Sequence, residues 1–85
     1  MTLLLINTIM ELNLLDAYDL ANEGKSHHPT SFVYLDAYLV LDIEPETVYI
    51  WFQKDTKLEK EFNTEDYDKI TEFTDDVDEW VSSHR

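Results

Sequence analysis

Eighty-five residues with nineteen acids, six bases and a net charge of −13 at pH 7 make a single domain spanning 1–85, with little margin for a second. The sign of the charge argues against direct binding to nucleic acid, whose phosphates need Lys and Arg to displace their counterions, and against adhesion to anionic membranes. The absence of cysteine excludes disulfides, thiolate nucleophiles and zinc–sulfur sites, and fits a reducing cytosolic setting.

The opening MTLLLINTIMELNLL is apolar enough to suggest a signal peptide, yet it lacks a basic start, and Glu11 interrupts it before any small-residue cleavage site. No stretch reaches the ~18–20 apolar residues of a membrane span, so the expectation is a soluble, complete chain. Thr8-Ile9-Met10-Glu11 has the spacing of a capping box. It predicts a helix over about 9–23, with an earlier start at Leu3 as the alternative, closed by Gly24 in the left-handed C′ position. Met10, Leu14, Ala17, Tyr18 and Ala21 share one face of that helix, and Ile9, Leu12, Leu15 and Leu20 widen it. Such a helix packs against a sheet, or also meets a second copy of the chain.

Ser26-His27-His28-Pro29-Thr30 reads as a loop, since Pro29 holds His28 extended. SFVYLDAYLVLDI then alternates: Val33, Leu35, Ala37, Leu39, Leu41 and Ile43 point one way, Phe32, Tyr34, Asp36, Tyr38, Val40 and Asp42 the other. After the turn Glu44-Pro45-Glu46, a second strand over Thr47–Lys54 puts Val48, Ile50 and Phe52 on one face and Thr47, Tyr49 and Trp51 on the other. The two form a β-hairpin, and Leu58–Phe62 is a candidate third strand beyond a turn at Lys54–Lys57. On this register Tyr34, Tyr38, Tyr49 and Trp51 gather on one face with Asp36 and Asp42 at its margins. A second helix covers them, or a homodimer interface does, or they dock a partner.

Residues 64–81, TEDYDKITEFTDDVDEWV, hold eight carboxylates and a single base, Lys69. Asn63-Thr64 offers an N-cap. At about 100° per residue, Tyr67, Ile70, Phe73, Val77, Trp80 and Val81 fall on one stripe roughly 140° wide. Glu65, Asp68, Glu72, Asp75, Asp76, Asp78 and Glu79 fall on the other side, and Asp66 alone intrudes on the stripe. In the alternative, Thr74 caps a second short helix. The expected fold is therefore α+β: an N-terminal helix, an antiparallel β-hairpin or three-stranded sheet, and a C-terminal acidic amphipathic helix.

Chemistry of catalysis, cofactors or metals finds no motif. His27 and His28 in an extended loop point to opposite sides, and His84 stands alone near the C-terminus. Asp75-Asp76-Val77-Asp78-Glu79 lacks the glycine and alternating oxygens of a calcium loop. The one glycine, Gly24, cannot form a phosphate-cradling loop. No catalytic residue, metal ligand or cofactor is expected. What the acidic helix does suggest is a protein partner: carboxylates without bases at i,i+4 repel one another, and carboxylates one turn apart, ~5.4 Å, can occupy Lys/Arg forks built for phosphates. The bland alternative is a solvated face.

Short length, no cysteine, a helix–hairpin–acidic-helix layout and extreme negative charge together resemble the small inhibitors of bacteriophages and mobile elements, including DNA mimics and anti-CRISPR proteins. That resemblance implies a cytoplasmic inhibitor in a bacterial host, bound to the basic nucleic-acid groove of a CRISPR effector or other defence nuclease. The contacts expected of it are Glu65, Asp68, Glu72, Asp75, Asp76, Asp78 and Glu79, with Asp36, Asp42, Tyr49 and Trp51 at the rim. LANEGK, followed by Pro29, a strand pair and a late DEW, also resembles a small phage family that counters Thoeris defence by sequestering a cyclic nucleotide signal. SHHPTSF replaces the Arg and Trp usual after GK in that family, so no binding residue is carried over. The competing expectations are a homodimeric assembly module joined through Tyr34, Tyr38, Tyr49 and Trp51, and a nucleotide-signal sponge.

Overall fold

The structure, a computed structural model, describes residues 12–85. The capping box expected at Thr8–Glu11 and the early helix start at Leu3 lie outside them. Asn13 has extended backbone (φ −118°, ψ −178°), and its Oδ1 accepts the Asp16 N–H at 2.9 Å. This satisfies a first-turn amide that has no partner within the helix. Helix α1 therefore runs Leu14–Asn22, and the helix expected over 9–23 is corrected at its start, since residues 12 and 13 are not helical. Its end is as expected: Gly24 takes φ +78°. The Lys25 N–H donates to the Leu20 carbonyl at 2.9 Å and the Gly24 N–H to the Ala21 carbonyl at 3.0 Å, the paired bonds of a Schellman cap.

Four strands follow, β1 (His27–Tyr34), β2 (Ala37–Glu44), β3 (Thr47–Phe52) and β4 (Asp55–Asn63), in an antiparallel sheet ordered as in the chain. The α+β class holds, with four strands rather than two or three. Ser26–Thr30 is not a loop, because β1 already starts at His27; an irregularity in its pairing between His27 and Thr30 accommodates Pro29, which has no N–H to give the ladder. SFVYLDAYLVLDI is not one strand. Leu35 and Asp36 sit at φ 50° and 63°, the two left-handed residues of a type I′ hairpin turn, and Tyr34 pairs with Ala37 across it. The reversal puts Phe32 beside Leu39 and Tyr34 beside Ala37 on one face, and Val33 beside Tyr38 on the other.

The next turn uses Pro45 followed by Glu46 at φ 64°, the order a type II turn prefers. The Glu46 N–H donates to the Ala21 carbonyl at 2.8 Å and its carbonyl accepts the Thr64 N–H at 3.0 Å, so one turn ties the end of α1 to the end of β4. Beyond β4, Thr64–Asp66 forms one turn of 3-10 helix, and α2 spans Ile70–His84. Asn63 and Thr64 therefore begin only the short helix. The start of α2 is held by Glu72, whose Oε1 accepts the Asp68 and Lys69 N–H groups at 2.8 and 3.4 Å. Thr74 lies inside an unbroken α2, its hydroxyl turned back to the Thr71 carbonyl at 3.1 Å.

Both helices cover the same face of the sheet. Leu39, Leu41, Ile43, Val48, Ile50, Phe52 and Phe62 are buried there beneath Leu14, Ala17, Tyr18 and Ala21 of α1 and Phe73, Val77 and Val81 of α2. Each fully buried large side chain contributes roughly 1.5–3 kcal/mol. Phe73 is the junction, with ring centroids 5.2 Å from Tyr18, 5.7 Å from Phe62 and 5.8 Å from Tyr67. Among the described residues no helix is long and apolar enough to cross a membrane.

Candidate functional site

The apolar stripe of α2 fixes which acids face outward. Phe73, Val77 and Val81 are buried, with Ile70 and Trp80 packed against the core. Opposite them, Glu72, Asp75 and Glu79 form a crest, all exposed. At 1.5 Å per residue the crest spans about 10 Å along the helix axis. Glu65 in the 3-10 turn and Asp68 before α2 are also exposed. The ion pairs among the described residues are Lys25–Glu23 at 3.0 Å and Arg85–Asp36 at 3.9 Å, so every acid from Glu65 to Glu79 lacks a base within 4.0 Å there.

The carboxylates expected on one outward surface divide by what they touch. Asp78 lies on the flank of α2 toward β1 and accepts the Tyr34 hydroxyl. Asp76 lies on the other flank and accepts the Tyr67 hydroxyl at 2.8 Å. Glu72 caps the helix. Glu65, Asp68, Asp75 and Glu79 accept no side-chain or capping bond among the described residues and are exposed. Burial pushes the Tyr34 phenol up to about 12, helped by its bond to Asp78 and by the negative charge of Asp78 and Asp75. Tyr67 moves up further for the same reasons: burial first, then its bond to Asp76, then nearby negative charge. Both hydroxyls therefore stay protonated as donors at neutral pH.

The aromatic cluster read from the sequence is divided between the two sides of the sheet. Tyr34 lies on the helix-covered side and anchors Asp78, because the Leu35-Asp36 turn reverses its strand. A homodimer surface containing Tyr34 with Tyr38, Tyr49 and Trp51 is thereby corrected. Tyr49 and Trp51 alternate with the buried Val48, Ile50 and Phe52 and so point to the outer face with Asp42 and Tyr38. They lie on the opposite side from α2 and do not rim its acidic crest. Asp36 is at the β1–β2 turn, near Arg85, whose Nη1 also donates to the Leu35 carbonyl at 2.8 Å.

The adjacent histidines do not diverge either: the His27 and His28 rings stack at 4.3 Å, and His27 Nδ1 lies 2.8 Å from the His28 carbonyl oxygen. Among the described residues no group of three or more His, Asp or Glu side chains is placed to hold a metal. Sequence reasoning missed Glu59 and Glu61 as outer-face acids. Leu58-Glu59-Lys60-Glu61-Phe62 carried the period-2 signal that places the two acids on one face.

Comparison with protein-family models, with curated proteins and with solved structures returns no match.

Proposed function

We propose that the chain is a non-enzymatic, protein-binding inhibitor that presents the acidic crest of α2 to the basic nucleic-acid-binding groove of a target such as a CRISPR effector or other defence nuclease. On this reading it works in the cytoplasm of a bacterial host and competes with the target's nucleic acid. The observation that carries it is the row Glu72, Asp75 and Glu79, exposed and without a base within 4.0 Å among the described residues. Buried Phe73, Val77 and Val81 hold that row on a folded support rather than a mobile tail. A groove lined with Lys and Arg can form the same charge-assisted bonds to these carboxylates as to phosphates, and the net charge of −13 would steer the encounter.

The test is to replace Glu65, Asp68, Asp75 and Glu79 by Gln or Asn. Asp76 and Asp78 are left alone because they hold Tyr67 and Tyr34. Inhibition of nucleic-acid binding by a panel of CRISPR effectors and defence nucleases should fall by at least about tenfold with the circular dichroism spectrum unchanged. Affinity of the unmodified chain should also fall steeply as salt shortens the screening length from about 30 to about 8 Å. An inhibitor indifferent to salt and to these substitutions does not act through the crest.

A further inference from the structure

The outer face of the sheet carries a second surface, separate from the crest of α2. Its pairing register places Val33 beside Tyr38, Ser31 beside Val40 beside Trp51 beside Glu59, and Asp42 beside Tyr49 beside Glu61. Cross-strand neighbours on one face lie about 4.5–5.5 Å apart, so these side chains form a continuous field. Val33 is 61% and Tyr38 67% exposed, two large apolar side chains open on this face. Gln53 crosses β2 to donate from Nε2 to Ser31 Oγ at 2.8 Å. Among the described residues both helices lie on the other face. Asp42, Glu59 and Glu61 have no base within 4.0 Å among them.

Charge decides what fits this field. Stacking two copies face to face would bring Asp42, Glu59 and Glu61 of each against an equally acidic surface, with −13 on each chain, and like charges placed opposite one another are destabilising. A purely basic ligand would neutralise the acids but leave Val33 and Tyr38 in water. The complement is a surface with apolar side chains beside Lys or Arg. Trp51 lies between Val40 and Glu59 in the register, and a tryptophan face can stack with an Arg or Lys head group.

We propose that the outer sheet face docks a segment of a partner protein that alternates apolar and basic side chains. Its apolar residues cover Val33, Tyr38, Val40 and Trp51, and its Lys or Arg residues pair with Asp42, Glu59 and Glu61. The inference is independent of the proposed inhibition, because the two surfaces are on opposite sides of the molecule.

The chain has no cysteine, so Val33→Cys in the full chain provides a single thiol on this face. The probe is a synthetic nine-residue peptide alternating Lys and Leu, with Lys–Ser and Glu–Leu peptides of the same length for comparison. Maleimide should label the free protein readily, and the Lys–Leu peptide should slow labelling and bind at least about tenfold more tightly than either control. Asp42→Asn with Glu59→Gln and Glu61→Gln should remove most of that preference, while Asp75→Asn with Glu79→Gln leaves it intact. Equal binding of the Lys–Ser peptide overturns the proposal in favour of unspecific attraction, and loss only in the α2 variant assigns the binding to the crest. A thiol shielded in the free monomer shows that the chain covers the face itself. A dimer in sedimentation that Tyr38→Glu dissolves makes a second copy the occupant, and either result also overturns the proposal.

Discussion

Tyr34 and Tyr67 each donate a hydroxyl hydrogen to a carboxylate of α2, Asp78 and Asp76 respectively, one from each side of the helix. These bonds turn two members of a repelling acid run into anchors, and they orient α2 about its own axis so that Asp75 and Glu79 face solvent. Tyr34→Phe removes one anchor. Its cost below pH 9 should be about 1 kcal/mol, the net worth of a partly solvated hydrogen bond. The folded-state phenol of Tyr34 titrates near 12 against 10 in the unfolded chain. A raised value means that folding favours the protonated form. The stabilisation is therefore complete below pH 10 and is lost as pH climbs through 12. Urea unfolding of the two proteins should show a constant gap up to about pH 9 that closes between pH 10 and 12. A gap that ignores pH would mean that the ring, not its hydroxyl, does the anchoring.

At the scale of elements, α2 was legible because its period is unambiguous: Tyr67, Ile70, Phe73, Val77, Trp80 and Val81 all pack in or against the core. The Gly24 helix end was legible for a similar reason, since few residues other than glycine accept φ +78°. The first hairpin was not. Its turn uses Leu35 and Asp36 at left-handed φ where Asn-Gly would normally announce a reversal. The apolar alternation runs on through both strands, so period alone gives one long strand and places Tyr34 on the wrong side. The candidate site inherited that error: the outward placement of Glu65, Asp68, Asp75 and Glu79 was readable, the anchoring of Asp76 and Asp78 by tyrosines was not, and the aromatic half depended on a turn without its usual letters. Left-handed backbone costs roughly 1–2 kcal/mol in a residue with a Cβ, offset here in part by the Arg85 bond to the Leu35 carbonyl. Leu35→Asn with Asp36→Gly should therefore stabilise the protein by about 1 kcal/mol, raising the thermal midpoint. A lower midpoint would show that Leu35, itself 39% exposed, contributes more by packing than its backbone costs.

For the whole molecule, charge and stability pull in opposite directions. A domain of this size has a margin of roughly 5 kcal/mol, and −13 spread over 85 residues erodes it by self-repulsion. Screening relieves that repulsion, so the thermal midpoint should rise as salt shortens the screening length from about 30 to about 8 Å. Affinity for a basic partner should fall over the same range. The variant lacking Glu65, Asp68, Asp75 and Glu79 removes four of the nineteen acids without touching a hydrogen-bonded anchor. At low salt it should melt higher than the parent, with each kcal/mol of relieved repulsion worth about 4–8 °C, and under the proposed function it should also lose inhibition. A surface kept acidic only for solubility predicts the first effect without the second. A docking surface predicts both, because a basic groove that closes over these carboxylates would relieve the same repulsion that salt or the substitutions relieve.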